Sequence, residues 1–263
     1  MKSLFRMGGE LEGGNAFVIS VLGVILFGLL WQMSISFGLI EARLLPSPIS
    51  IVSAVPDLVS KYHLVPNLLY SLKLNLMGYG VALLFAVPLG FLLGLSPLAR
   101  GIAMPLTLGF PYLPLSATTM VFIMWFGIED TMKVSFLAFA IFVYLLPIIT
   151  ARVLETRSVY INTAKTLGAS KLQMIMKIYV PDTLSRVWDD VVVLVAISWT
   201  YIIIVEMINR SAGGIGAMMF LGERLHRPEI TFALLVILMF VGYCQNRIFR
   251  FIGDLFFPHK KVR

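Results

Sequence analysis

Few side chains in this 263-residue chain have the type and spacing that chemistry requires. The three histidines, His63, His226 and His259, are far apart, and the single cysteine, Cys244, lies inside an apolar stretch. No spacing therefore matches a zinc site or a disulfide. The chain also lacks the G-x-x-x-x-G-K-[ST] loop that holds the phosphates of ATP. The sequence predicts no catalytic residue, no metal site and no cofactor held by the chain itself.

The elements that carry the remaining polar residues are apolar helices. Hydrophobic residues make up 59% of the chain and charged residues 13%, against about 25% charged in soluble domains. The charge-free intervals are too long for the strands of a membrane barrel, and several reach the roughly 20 residues that a membrane-spanning helix needs. We therefore predict an all-α polytopic membrane protein with about six transmembrane helices. The predicted spans lie near residues 16–40, 67–95, 102–126, 132–152, 188–209 and 230–252.

Basic residues indicate how these spans are oriented. Of the 21 Lys and Arg residues, 14 flank one predicted face and 7 the other, and the richer face is expected to be cytoplasmic. This arrangement places the N-terminus (1–15), the loop 153–187 and the basic tail (253–263) inside, around one membrane domain (16–252). The first span is too long for a signal peptide and is expected to be retained. The net charge of +7 then requires no nucleic-acid partner.

The loop 153–187 carries a helix–turn–helix pattern. Gly168 interrupts it and is expected to form a corner without a side chain and to tolerate a left-handed turn, and Pro181 is expected to stop the second helix. Between them, apolar residues recur at the spacing of one helix face: Leu172, Ile175, Met176 and Tyr179. The pattern allows two interpretations. The loop is either an amphipathic segment on anionic lipid, because it is rich in basic residues, or a knob that fits a groove on a soluble partner.

Ala164, Gly168, Ile178 and Pro181 of this loop have a spacing that resembles the coupling loop of bacterial ABC-importer permeases. That family's pattern is Glu-Ala-Ala, three residues, Gly, nine residues, Ile, any residue, Leu-Pro, and Val180 stands here in place of the Leu. Asn162 and Thr163 replace the first two family residues, so the acidic contact is lost while the spacing is kept. The resemblance implies that the ATPase subunit contacts Asn162, Thr163, Ala164, Leu167, Gly168, Ala169, Ser170, Ile178 and Pro181.

Other segments are similar to one branch of that family, the permeases for nitrate, bicarbonate, taurine and alkanesulfonates. Asp189-Asp190 departs from that branch, which usually has Gly-Leu-Arg near this point, and this departure indicates a divergent member or another substrate. The similar segments are Pro46-Ser47-Pro48, Pro88-Leu89-Gly90 with Gly94, Trp125-Phe126-Gly127, Leu167-Gly168-Ala169-Ser170, Glu206-Met207 and Gly214-Ile215-Gly216.

The resemblance implies a type I ABC-importer permease in the bacterial inner membrane, surrounded by membrane lipid. Its partners would be a second permease subunit, as a homodimer, two ATPase subunits that bind ATP and Mg, and an external solute-binding protein. The cargo would be a small anion, or alternatively another small solute such as a vitamin precursor. A secondary transporter or channel is the rival, but the sequence shows neither paired acidic residues in mid-span nor an inverted repeat.

Two features within the spans are candidates for a translocation path. The third span is rich in proline and must be locally broken, which indicates either a path lining or a packing kink. Its candidate residues are Pro111, Tyr112, Pro114, Ser116, Thr118 and Thr119. Glu206 is a costly charge at membrane depth, so it either faces the path or pairs with Arg210. We favour the pair, because a carboxylate on the path would repel an anion. Gly90-x-x-x-Gly94 is interpreted as a helix-packing face.

Overall fold

The computed structural model describes residues 13–210 and 212–258, and within them the regular structure is entirely helical. The predicted termini, 1–15 and 253–263, lie partly outside these residues. The helices are α1 (Gly13–Ser36), α2 (Pro48–Ser60), α3 (Leu64–Leu95), α4 (Pro97–Gly109), α5 (Leu115–Phe126), α6 (Asp130–Leu154), α7 (Ser158–Thr166), α8 (Lys171–Met174), α9 (Val180–Val193), α10 (Val195–Ile208), α11 (Ile215–Arg224) and α12 (Pro228–Phe256). A 3₁₀ turn (Phe110–Tyr112) follows α4, and a π-helical turn (Ile175–Tyr179) joins α8 to α9.

Four of these helices are long and apolar enough to cross a membrane, namely α1, α3, α6 and α12. Two bent pairs raise the number to six. One pair joins residues 97–112 to α5 at 106°, and the other joins residues 171–193 to α10 at 49°. This confirms the predicted all-α fold with about six membrane segments. The expected break in the third span is also present, beside Pro114, where the backbone leaves the helical conformation.

Helical structure begins well before residue 188, near which the fifth span is predicted to start. Helical structure runs without a gap from Lys171 through the π turn into α9 and bends only at Leu194, before α10. The loop 153–187 is therefore continuous with the membrane segment that follows it.

The core is centred on α3 and α6, and small residues on α3 let the two helices approach closely. A Cβ atom on Gly90 would lie 2.5 Å from the Ile149 side chain, and one on Gly94 would lie 2.5 Å from Val153. These contacts confirm the predicted packing role of the Gly90-x-x-x-Gly94 pair. The stripe is longer than predicted, because small residues face the core at every fourth position: Gly78, Ala82, Ala86, Gly90 and Gly94. Such spacing is typical of tightly packed membrane helices.

Candidate functional site

The connection between α7 and α8 is a tight turn built by two capping motifs. Gly168 has φ of +73°, and its N–H donates to the carbonyl of Lys165 at 3.0 Å. The N–H of Ala169 donates to the carbonyl of Ala164 at 2.9 Å. These two bonds form a Schellman motif, which satisfies the last carbonyls of α7 and requires a left-handed residue at the position of Gly168.

The next helix begins immediately after this turn. The Ser170 hydroxyl accepts from the N–H of Gln173, and the Gln173 side chain accepts from the N–H of Ser170, at 3.3 and 2.8 Å. This reciprocal pair is a capping box, which favours a helix start at this residue. The sequence Gly168-Ala169-Ser170 therefore ends one helix and starts the next within three residues.

The positive φ of Gly168 agrees with the left-handed turn that we expected at this corner. A Cβ atom at Gly168 would meet no described atom within 4 Å, so steric space does not decide the residue type. The left-handed backbone is the actual requirement, since most residues with a side chain are strained there.

The turn between α7 and α8 exposes apolar side chains at one end of the bundle. Leu167 is 81% exposed, and the predicted coupling residues Asn162, Thr163 and Ser170 are also exposed. The predicted apolar face divides, because Leu172 and Met176 point outward while Ile175 and Tyr179 are partly buried. Ile178 is partly buried as well. The exposed apolar side chains are Val159, Leu167, Leu172 and Met176.

Pro181 does not end the helix, contrary to the prediction. In an α-helix, a proline ring clashes with the carbonyl four residues earlier and removes one hydrogen bond. Here the preceding residues form a π turn, in which the N–H of Val180 bonds to the carbonyl of Ile175, five residues back. The wider turn precedes the proline, and Pro181 occupies the first turn of α9, where its missing N–H is tolerated. Pro181 therefore marks a change of helical pitch.

Ion pairs fix α9 to the end of α6. Arg152 donates two hydrogen bonds to the carboxylate of Asp190, both of 2.8 Å, and a further one to Glu155 at 2.9 Å. Arg186 pairs with Asp182 at 2.6 Å and donates to the backbone carbonyl of Arg152 at 2.9 Å. The bidentate geometry orients both groups. The Asp189-Asp190 dipeptide, which departs from the family pattern, thus supplies the acceptor of this brace.

Glu206 does not pair with Arg210, so the favoured prediction for it is wrong. Its carboxylate is fully buried, and it accepts from the Ser71 hydroxyl at 2.6 Å and from the N–H of Gly216 at 2.9 Å. Ser71 in turn accepts from the N–H of Ile215 at 2.9 Å. A carboxylate at a helix N-terminus satisfies backbone donors and complements the helix dipole. Glu206 therefore caps α11 and fastens it to α3.

The contact between Glu206 and α11 links two segments that resemble the permease family, Glu206-Met207 and Gly214-Ile215-Gly216. Gly214 has φ of +105°, and a Cβ atom there would lie 2.4 Å from the Glu206 carboxyl carbon. A Cβ atom on Gly216 would lie 2.5 Å from the carbonyl oxygen of Ile203. The two glycines of the Gly-Ile-Gly segment thus leave room for the Glu206 side chain. This contact is not evident from the sequence.

A second buried polar cluster lies along the same face of α3. Asn75, one helical turn beyond Ser71, donates to the Ser198 hydroxyl at 3.0 Å and accepts from Gln245 at 3.0 Å. The indole of Trp199 donates to Gln245 at 2.8 Å. Buried polar groups need such partners, so these bonds specify how α3, α10 and α12 pack.

Lys133, within the predicted fourth span, is a further buried charge. It is fully buried in α6, and its ammonium donates to the Tyr70 hydroxyl at 3.1 Å while lying 5.1 Å from the centre of the Tyr70 ring. The Tyr70 hydroxyl donates to Asp130. This group joins α3 to the start of α6.

The candidates around the broken third span occupy mixed positions. Tyr112, Pro114 and Ser116 are exposed, Pro111 and Thr118 are partly buried, and Thr119 is fully buried. Among the described residues the Thr119 hydroxyl has no hydrogen-bond partner, whereas that of Thr118 donates to the carbonyl of Leu115 at 2.7 Å. The polar contacts of Glu206 go to α3 and α11.

Comparison with known proteins places these features in context. Residues 86–257 match the family model described as binding-protein-dependent transport system inner membrane component. The taurine transport system permease protein TauC of Escherichia coli is 26% identical over 230 residues, which cover 86% of this chain and 82% of the relative. A Bacillus subtilis permease protein assigned to aliphatic sulfonates transport, SsuC, is 24% identical over 223 residues, covering 84% and 80%.

A solved structure has a similar fold. The crystal structure of an amino acid ABC transporter with histidines matches with a TM-score of 0.57 and 19% sequence identity, over 80% of this chain and 97% of that one. At this identity the match concerns the fold alone.

Proposed function

The chain belongs to the family of binding-protein-dependent transport system inner membrane components, and we propose that it imports a small anion and docks ATPase subunits on residues 158–181. Members of this family are transport subunits of ABC importers in the inner membrane and not enzymes. Membership implies ATPase and solute-binding partners. The location of the docking surface, the cargo, the oligomer and the orientation are the parts that we propose.

The exposed turn between α7 and α8 is the observation that carries the docking proposal. A helix pair that ends in exposed Leu167 and is bordered by exposed Val159 and Leu172 has the shape of a knob for a protein groove. The lipid interpretation requires one continuous apolar face, whereas the expected face divides between exposed and partly buried residues. ATP and Mg are then held by the partner ATPase, and the knob transmits its movement.

The brace at the base of the knob favours mechanical transmission. Arg152 and Asp190 tie α9 to α6, and helical structure continues from Lys171 through α9 towards α10. Closure of two ATPase subunits would draw the knobs of two permease copies together. Because α9 is continuous with the knob, this movement would rock the membrane helices between inward-open and outward-open states.

The chemistry of the relatives supports an anionic cargo. The names of the two relatives refer to taurine and to aliphatic sulfonates, which share a sulfonate group. We propose import of a solute of this class by a homodimer with both termini in the cytoplasm. Residues 111–119 remain our proposed path lining, because this bent segment combines exposed polar side chains with a buried, unpartnered Thr119 hydroxyl.

Replacement of Gly168 tests the docking proposal. Because the site has open space but a left-handed backbone, the variants should rank by backbone strain: Gly168→Asn mildest, then Ala, then Val. A residue with a Cβ costs about 1–2 kcal/mol in this conformation. We expect substrate-stimulated ATPase activity and uptake, measured in proteoliposomes with both partners, to fall in this order while membrane insertion is unchanged.

Gly38 provides a matched control. It has φ of +70° and open space, and it ends α1 with the same pair of backbone bonds, at 3.0 and 2.9 Å. The same substitutions at Gly38 impose the same strain at the opposite end of the bundle and should leave coupling intact. Normal stimulated uptake in Gly168→Val, or equal losses in the two series, would overturn the docking proposal.

A further inference from the structure

A cavity of about 450 Å³ lies at the end of the bundle opposite the coupling turn. It opens between the α2–α3 connection, the start of α3, the loop before α11, and α11 itself. Four of its lining residues are basic or can become so: Lys61, His63, Arg210 and Arg224. No carboxylate is among the lining residues in the part of the chain that the structure describes. The cavity therefore concentrates positive potential.

Two of the cations are held on one aromatic ring. The guanidinium carbon of Arg210 lies 3.7 Å from the centre of the Phe220 ring, and that of Arg224 lies 5.4 Å from it. Arg224 is one helical turn beyond Phe220 on α11, whereas Arg210 arrives from the preceding loop. Contact with a ring uses the face of a guanidinium and leaves its N–H edge free to bind an oxyanion.

The frame that carries these arginines is rigidly built. Glu206 fixes the N-terminus of α11, and the Asn67 side chain accepts from the N–H of Gly214 at 2.7 Å. Asn67 also donates to the carbonyl of His63 at 3.0 Å. The loop with Arg210 and the helix with Phe220 are thus anchored to α3. Little ordering is then required when a ligand binds, which favours affinity.

Asp57, the ion-pair partner of the cavity residue Lys61, is already occupied. Asp57 lies 2.8 Å from the Lys61 ammonium, and Arg227 lies 3.4 Å from its other oxygen. The hydrogen bond from Lys61, with a further one from Arg227, lowers the pKa of Asp57, so this carboxylate stays ionised and committed to its partners. It does not line the cavity and leaves Arg210 and Arg224 available.

We propose that this cavity binds the oxyanion head of a small anion, such as a sulfonate, between Arg210 and Arg224. Planar guanidinium groups match the oxygen geometry of such heads and remain charged at all physiological pH values. We further propose that the transported anion makes its first contact with the permease at this cavity, and this role rests on the proposed anion import. The binding of an anion by the cavity does not depend on that import. The competing occupant is an acidic surface of the solute-binding protein, and the experiment below distinguishes binding of that surface from binding of a small anion.

Arginine-selective labelling tests the site directly. The permease, assembled with its ATPase subunits in nanodiscs, is treated with phenylglyoxal in the presence of ethanesulfonate, and the modified arginines are quantified by mass spectrometry. At about ten times the dissociation constant, labelling of Arg210 and Arg224 should slow about tenfold by mass action. Ethyl methyl sulfone, similar in shape but neutral, should not protect them. Arg43, which lines a neighbouring cavity, should be labelled equally in all samples.

Variants provide the transport measurement. Arg210→Gln and Arg224→Gln should raise the half-saturating concentration in uptake while the maximal rate changes little, and Arg210→Lys should restore affinity only in part. Arg43→Gln is the control with no effect.

Three results would overturn the proposal. They are labelling that ethanesulfonate does not slow, equal protection by the neutral sulfone, and protection by the purified binding protein alone. Because the Gly168 series measures coupling without reference to this cavity, failure of the anion site would leave the proposed function standing.

Discussion

Removal of the Glu206 carboxylate should lower the free energy of unfolding, because its hydrogen bonds hold α11 against α3. Glu206→Ala deletes two hydrogen bonds to a charged acceptor and leaves the buried donors of Ser71 and Gly216 unsatisfied. Each such bond contributes about 1.5–3 kcal/mol. The substitution also removes the cost of burying the charge. We therefore expect the free energy of unfolding to fall by about 3 kcal/mol, at the lower end of the sum for the two hydrogen bonds.

Glu206→Gln should be much milder. The amide oxygen can still accept from the Gly216 N–H, and the amide nitrogen can donate to the Ser71 hydroxyl oxygen, so the loss should be about 1 kcal/mol. Thermal unfolding of the purified chain in detergent, followed by size-exclusion chromatography, ranks the variants. Glu223→Ala, which removes an exposed carboxylate on the same helix, should stay within about 0.5 kcal/mol of wild type. If Glu206→Ala were as stable as Glu223→Ala, Glu206 would not be the cap of α11.

Two further predictions concern the brace and the α3–α6 interface. Asp190→Asn should keep the chain folded but reduce substrate-stimulated ATPase activity several-fold, because one charge of the bidentate pair with Arg152 is lost; unchanged stimulation would exclude the brace from coupling. Gly90→Val should abolish accumulation of folded protein in the membrane, since its Cβ would lie 2.5 Å from Ile149, whereas Gly101→Val, in open space, should be tolerated; equal yields of the two variants would contradict the packing.

The sequence was sufficient for features that depend on local chemistry. Apolar length predicted about six membrane segments, and Gly168 with the apolar spacing after it predicted the helix–turn–helix, because turns depend on neighbouring residues. Pro181 was misinterpreted because the proline rule assumes α-helical spacing, and a π turn changes that spacing locally. The small-residue stripe was predicted only in part, since Ala82 and Ala86 are inconspicuous without the α6 partner.

Features that join distant segments could not be predicted in the same way. Glu206 has Arg210 one turn away, so local spacing favoured an ion pair, but the actual partners come from α3 and from the start of α11. Arg210 stacks instead on Phe220, ten residues further along the chain. These choices are decided by tertiary packing, which the helical period of one segment does not reveal.

Protection of the coupling turn by the ATPase subunits is the most direct measurement of the central claim. A cysteine replaces Leu167, 81% exposed, or Leu39, 76% exposed at the turn after α1, in a Cys244→Ser background. Maleimide labelling is then compared in the isolated permease and in the assembled transporter. Our account predicts that Leu167→Cys is labelled rapidly alone and at least about tenfold more slowly in the complex, as expected for a tightly docked surface. Leu39→Cys should be labelled equally in both. Equal labelling of Leu167→Cys with and without the ATPase subunits would contradict docking at this turn.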